Sequence, residues 1–206
     1  MRRSAVFASW SSLLLVPVVA GLAVADEPRI VGRTRQELVQ ELATAAGQQR
    51  EHAAWALAQL AAGQADASEP TVWLDDLYRL AQDDSPPVRY WGLVGLRQFL
   101  ARLPADHPLR ETAVQVLTHK LVDRSPAVRV AAADALAQAG QPRQALGVLV
   151  EAMASPQESV RIQAVAALER LGPAARPARD TLEAATRDSS EYVKRISARA
   201  LRQLDG

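Results

Sequence analysis

The sequence predicts an all-α protein: a right-handed α–α superhelix of about five antiparallel helix pairs. Three observations predict it. A short pattern recurs along the chain. Hydrophobic residues make up 49% of the sequence while aromatics make up only 4%. Small and leucine side chains repeat at helical spacing. Apolar content carried mainly by alanine and leucine favours closely packed helices over strands.

The pattern is seen by aligning on a valine–arginine pair. DDSPPVRYWGLVGL begins at Asp83, DRSPAVRVAAADAL at Asp123, SPQESVRIQAVAAL at Ser155 and DSSEYVKRISARAL at Asp188. A degraded earlier copy, AAGQQREHAAWAL, places Arg50 in the basic slot. The basic residues Arg50, Arg89, Arg129, Arg161 and Lys194 are spaced by 39, 40, 32 and 33 residues. A period in this range is the mark of a stacked repeat architecture.

Within each copy, small residues stand four and seven places after the valine slot and leucine stands eight places after it. They are Ala53, Ala56 and Leu57; Gly92, Gly95 and Leu96; Ala132, Ala135 and Leu136; Ala164, Ala167 and Leu168; Ser197, Ala200 and Leu201. These offsets fall on one face of a helix, where small side chains admit a neighbouring helix and leucine fills the remaining space.

The helix starts are encoded too. Ser125-Pro126 and Ser155-Pro156 place a capping hydroxyl before a first-turn proline. Ser155 with Glu158, Asp188 with Glu191, and Thr34 with Glu37 have capping-box spacing. Gly140 and Gly172 stand where two helices should stop. A second amphipathic segment precedes each copy, at 35–46, 71–82, 109–122, 143–154 and about 177–186. No strand is signalled. One such pair cannot bury its own apolar face; stacked pairs can.

The pattern D-x-x-x-x-V-R-x-x-A-x-x-A-L resembles the second half of a HEAT repeat, and the resemblance covers residues 34–206. It implies a HEAT-like solenoid in which an aspartate six residues before the basic residue lets neighbouring repeats form a ladder of charge-assisted bonds. Asp83/Arg89, Asp123/Arg129 and Asp188/Lys194 keep that spacing; Ser155/Arg161 departs from it, which weakens the expected ladder there. Residues 83–91, 128–136, 191–195 and 199–201 also resemble the helical C-terminal region of certain secreted bacterial sulfatases, whose chemistry resides in an upstream α/β domain absent from this chain.

The N-terminus has the layout of a secretory signal peptide: basic Arg2 and Arg3, an apolar run over 13–24 broken by Pro17 and Gly21, and a small-x-small site ending at Ala25. Cleavage after Ala25 would give a periplasmic or secreted protein with a short linker at 26–33, a repeat domain at 34–206 and no remaining membrane span. Losing Arg2 and Arg3 leaves 22 of 24 basic residues against 23 acidic ones, a formal charge of −1. Nucleic-acid binders usually carry a clear basic excess, so no nucleic-acid partner is expected.

Catalytic, cofactor and metal signals are not found. The chain contains no cysteine, which excludes disulfides, thiolate zinc sites and cysteine nucleophiles. His52, His107 and His119 lack ligand spacing, and no nucleophile elbow or glycine-rich phosphate loop occurs. Ser85-Pro86-Pro87-Val88-Arg89 superficially matches the sulfatase motif S/C-x-P-x-R. The repeat already explains it as cap, helix start, core and ladder.

The expected function is therefore binding of a protein or peptide, with a sulfatase or other exported enzyme as the alternative partner. Offsets two, six and nine lie opposite the core face, where solvent should favour polar residues. Instead Trp55, Tyr90, Val94, Arg97, Val130 and Ile162 recur there, and in a HEAT-like stack they would line the concave surface. In the last copy the stripe becomes Arg195, Arg199 and Arg202, either a basic patch for an acidic partner or a soluble terminal cap.

Overall fold

The computed structural model describes residues 28–205. The signal-peptide residues expected at 1–25 lie outside that range. A two-strand antiparallel hairpin, β1 (Arg29–Ile30) and β2 (Arg33–Thr34), leads into α1 (Arg35–Thr44) and α2 (Gly47–Ala62). There follow α3 (Pro70–Ala81), α4 (Pro86–Arg102), α5 (Leu109–Lys120), α6 (Pro126–Gln138), α7 (Pro142–Ala152) and α8 (Glu158–Leu171). A 3₁₀ segment (Gly172–Ala178) then enters α9 (Arg179–Ala185), and α10 (Glu191–Asp205) is the last helix among the described residues.

The architecture is a helical-repeat solenoid. Each odd-numbered helix packs on the even-numbered helix that follows it, and α2, α4, α6, α8 and α10 pack in succession along the stack. The residues four and seven places after the valine slot are buried in every copy. Leu57, Leu96, Leu136 and Leu168 are fully or almost fully buried, each contributing about 2 kcal/mol of transfer free energy. Leu201, on the last described helix, is only half-buried.

The small residues set the helix spacing. At Gly92 a Cβ would lie 2.5 Å from the Ala81 nitrogen and 2.8 Å from the Leu80 carbonyl carbon, so α4 rests directly on the backbone of α3. At Gly95 it would meet Leu77 Cδ2 at 2.4 Å and Ala58 Cβ at 3.0 Å. The aromatic and aliphatic residues around these contacts build one core cluster from Leu38 to Leu136. A second runs from Val130 to Leu204. α6 is the shared wall: Val128 and Ala132 face the first cluster, Val130 and Ala133 the second.

Helix ends follow the sequence in part. Thr34 and Glu37 form the expected reciprocal capping box. α6 ends in a Schellman motif, with Gly140 at φ 90°, Gly140 N–H bonded to the Ala137 carbonyl and Gln141 N–H bonded to that of Leu136. Gly172 caps α8 at φ 55°.

Other capping expectations are corrected. The Ser125 hydroxyl makes no capping bond; separately, the Asp123 carboxylate accepts the Ser125 N–H at 2.9 Å. Ser155 and Glu158 form no box, because α8 starts at Glu158, beyond Pro156. The Ser155 hydroxyl accepts from Gln157 N–H at 3.2 Å. Pro177 belongs to the 3₁₀ segment, which shortens α9 relative to the expected 177–186. The hairpin was not signalled because its turn is Val31-Gly32, both at positive φ, where Asn-Gly or Asp-Gly is the usual pair.

Candidate functional site

Two constellations emerge from the repeat: a ladder between helix pairs and a groove across the even-numbered helices. In the ladder, three guanidiniums reach the aspartate of the next copy. Arg50 grips Asp83 at 2.8 and 2.5 Å, Arg89 grips Asp123 at 2.9 Å through two nitrogens, and Arg161 grips Asp188 at 2.8 and 3.0 Å. A further nitrogen of the arginine donates to the carbonyl six residues back in its own copy: Arg89 to Asp83, Arg129 to Asp123, Arg161 to Ser155. Each aspartate also accepts a backbone N–H two residues ahead, from Ser85, Ser125 or Ser190.

One rung is missing. In the copy after Arg129, Ser155 stands where the others have an aspartate, and Arg129 has only the exposed Glu151 carboxylate within 4 Å, at 3.8 Å, among the described residues. Lys194, on the last described helix, bonds Glu191 in its own helix at 2.6 Å.

These contacts tune the carboxyl groups. At Asp123, burial raises the pKa, and it is outweighed by the Arg89 bond and the Ser125 N–H, which hold it below the ordinary value. Asp83 behaves alike, with Arg50 and Ser85 N–H prevailing over burial. At Asp188 the Arg161 bond is the largest effect, and the pKa is again lowered.

The groove runs across α4, α6 and α8, with a volume of about 270 Å³. Tyr90, Val94 and Arg97 form one wall, Ile162 and Ala166 the other, and Val130, only 2% exposed, sits at the floor. At one edge Asp134 is shared by two guanidiniums, with Arg97 at 3.3 Å and Arg170 at 2.6 Å. Burial raises the Tyr90 phenol above its ordinary value; Asp134 adds to that, and Arg97 and Arg170 oppose it. The Gln163 amide oxygen lines the same groove, buried and without a hydrogen-bond partner.

Five of the six stripe residues thus meet in one groove. Trp55 does not join them. It opens with Trp91, His52, Glu51, Arg33 and the exposed Val31 into a separate cavity of about 530 Å³. In the last copy, the Arg195 guanidinium stacks over the Tyr192 ring at 5.1 Å, Arg199 is held by Glu169, and Arg202 is exposed.

Sequence reasoning missed two residues of the groove and the partners of two others. Arg170 stands ten places after the valine slot, off the stripe, and Gln163 three places after it. Asp134 and Glu169 were visible on the stripe as polar positions, but their arginine partners lie 36 and 30 residues away. Away from the groove, Asp76 is 1% exposed and bonded twice by Arg35 at 2.5 and 2.9 Å, tying α1 to α3.

Among the described residues no cluster of three metal-ligating side chains occurs, and no helix is long and apolar enough to cross a membrane. Fold and contacts together define a solenoid of stacked helix pairs. Residues 114–202 match the family model of HEAT repeats. Similar solved structures include a designed armadillo repeat protein in complex with the peptide (KR)4, at 22% identity and a TM-score of 0.58, covering 82% of this chain and 80% of that one. Another is the complex of CpcE and CpcF of phycocyanin lyase from Nostoc sp. PCC7120, at 19% identity and a TM-score of 0.56, covering 91% and 70%. These likenesses establish the armadillo- and HEAT-like solenoid fold. No curated protein sequence matches the chain.

Proposed function

We propose that the chain is an exported, non-catalytic scaffold that holds a protein or peptide partner in the groove across α4, α6 and α8. The observation that carries the reading is the groove itself. Tyr90 and Val94, Val130, and Ile162, from three successive copies, line one continuous depression on the face opposite the recurrent small-residue seam of each helix. Apolar and aromatic groups rimmed by arginine are the chemistry of interface anchors. Export rests on the layout of residues 1–25, and the N-terminal residue of protein recovered from the periplasm or culture fluid should be Asp26.

A photo-crosslinking residue at Val94 should capture a partner from the exported fraction, and Tyr90→Ala should abolish that capture while far-UV circular dichroism is unchanged. Retention of the crosslink in Tyr90→Ala removes the groove as the binding surface.

A narrower form of the reading makes the partner a separately encoded sulfatase-type hydrolase, supported by the resemblance of residues 83–91, 128–136, 191–195 and 199–201 to sulfatase C-terminal regions. The purified chain should then hydrolyse no aryl sulfate alone, and should co-purify with such an enzyme. Hydrolysis by the chain itself would overturn the non-catalytic assignment.

A further inference from the structure

The charge at the groove edge is unbalanced. Asp134 is the single carboxylate between Arg97 and Arg170, so two guanidiniums share one negative charge. Arg170 remains 46% exposed. Along the same face, Glu169 is engaged by Arg199, while Arg195 and Arg202 have no ion-pair partner among the described residues. From α4 to α10 this face therefore presents five arginines against Asp134 and Glu169.

The apolar part has a matching shape. Helices packed at about 9 Å spacing place the outer walls of a three-helix groove about 18 Å apart. An extended chain rises about 3.3 Å per residue, so about six residues span it. Alternate side chains of such a segment point to opposite faces.

We propose that the occupant of the groove is an extended acidic peptide segment. Its carboxylates join Asp134 in bridging Arg97 and Arg170, and its alternate apolar side chains enter the space between Tyr90, Val94 and Ile162. The inference rests on the groove being the partner-binding surface and adds the chemistry of the partner. Guanidinium pairs a carboxylate through parallel N–H bonds, which selects acid over base and fixes the segment's register. The buried Gln163 oxygen supplies an acceptor for a backbone N–H once its side chain turns toward the bound strand.

The test is fluorescence anisotropy on the folded chain with three labelled peptides of about eight residues, alternating Leu with Glu, Gln or Lys. The Glu peptide should bind at least about tenfold tighter than the Lys peptide at about 50 mM salt, and the preference should shrink at about 300 mM. Arg97→Gln with Arg170→Gln should erase the preference. Asp134→Asn should instead tighten the Glu peptide about threefold or more, because a competing carboxylate is lost.

Equal or inverted preference, with all binding lost in Tyr90→Ala, overturns the acidic assignment and leaves the groove standing. A Glu-peptide affinity indifferent to the paired arginine substitutions also overturns it, by placing the contact elsewhere on the arginine face. No binding of the Glu peptide up to about 1 mM overturns it as well; crosslinking at Val94 then judges the groove independently.

Discussion

Arg89 holds Asp123 with its Nε and one Nη, each at 2.9 Å, across the junction between two successive helix pairs. The remaining nitrogen donates to the carbonyls of Asp83 and Asp84, so one side chain ties the start of its own helix to the loop of the next pair. The pair is largely withdrawn from water, at 12% and 8% exposure. Asp123 in turn accepts the Ser125 N–H at the start of α6. The ladder therefore couples helix initiation to repeat stacking.

Breaking a rung should cost more than its ion-pair attraction alone. Asp123→Ala leaves Arg89 enclosed without its carboxylate and the Ser125 N–H without its acceptor, with an expected loss of about 3 kcal/mol. Urea denaturation measures it. A loss within about 0.5 kcal/mol would show that water replaces the aspartate at this junction.

The missing rung offers the opposite experiment. Arg129 already donates to the Asp123 carbonyl at 3.0 Å, as Arg89 does to that of Asp83, and Ser155 Oγ already takes the backbone N–H that Asp83 and Asp123 take in their copies. Ser155→Asp places a carboxylate where both donors converge. It should raise stability by about 1 kcal/mol, read as a higher Tm. The two core clusters also meet at α6, beside this rung, so the added bond should slow amide exchange in α7 and α8. An unchanged Tm together with unchanged exchange would show that Arg129 does not turn to the new carboxylate.

Glycines along the stack should separate by what stands opposite them. Gly92→Ala drives a methyl into the backbone of Leu80 and Ala81 and should destabilise by about 3 kcal/mol. Gly95→Ala meets the movable end of Leu77 first and should cost less. Gly147, exposed within α7, has nothing within 4 Å of a built Cβ, and Gly147→Ala should stabilise by about 0.5–1 kcal/mol. Thermal melts of the three variants give the order. Equal losses at positions 92 and 147 would remove close helix approach as the reason for the small residues.

Much of this was legible because repetition marks it. Ala53, Gly92, Ala132, Ala164 and Ser197 share one register, and all five are buried against a neighbouring helix. Arg50 was recognisable by the same register even though its copy lacks the valine. What repetition does not mark stayed hidden. Arg170 and Asp134 occupy different positions of their copies, and their contact depends on how far α8 is rotated against α6, which no spacing within one helix records. Trp55 has the stripe's spacing, yet α2 begins the stack, and the hairpin with Val31 and Arg33 lies beside it, giving it a cavity apart from the groove. At Ser85 and Ser125 the aspartate two residues earlier accepts the serine's own N–H, a local turn that no helix-cap pattern records.

Acid should loosen the ladder before the core. Asp83, Asp123 and Asp188 all have folded-state pKa values below their ordinary one. A carboxyl lowered on folding contributes stability that is fully present above its unfolded pKa, about 3.9, and is lost as pH falls through the folded value. Stability should thus hold level from neutral pH to about pH 5 and fall steeply below about pH 4. Asp123→Asn lacks the titrating group, so it should start from lower stability at neutral pH and decline less steeply in acid. Urea midpoints measured across that range for both proteins decide it. Parallel curves would mean that the acid sensitivity arises outside the Arg89–Asp123 rung. Converging curves would identify proton uptake at the ladder as a step that uncouples one helix pair from the next.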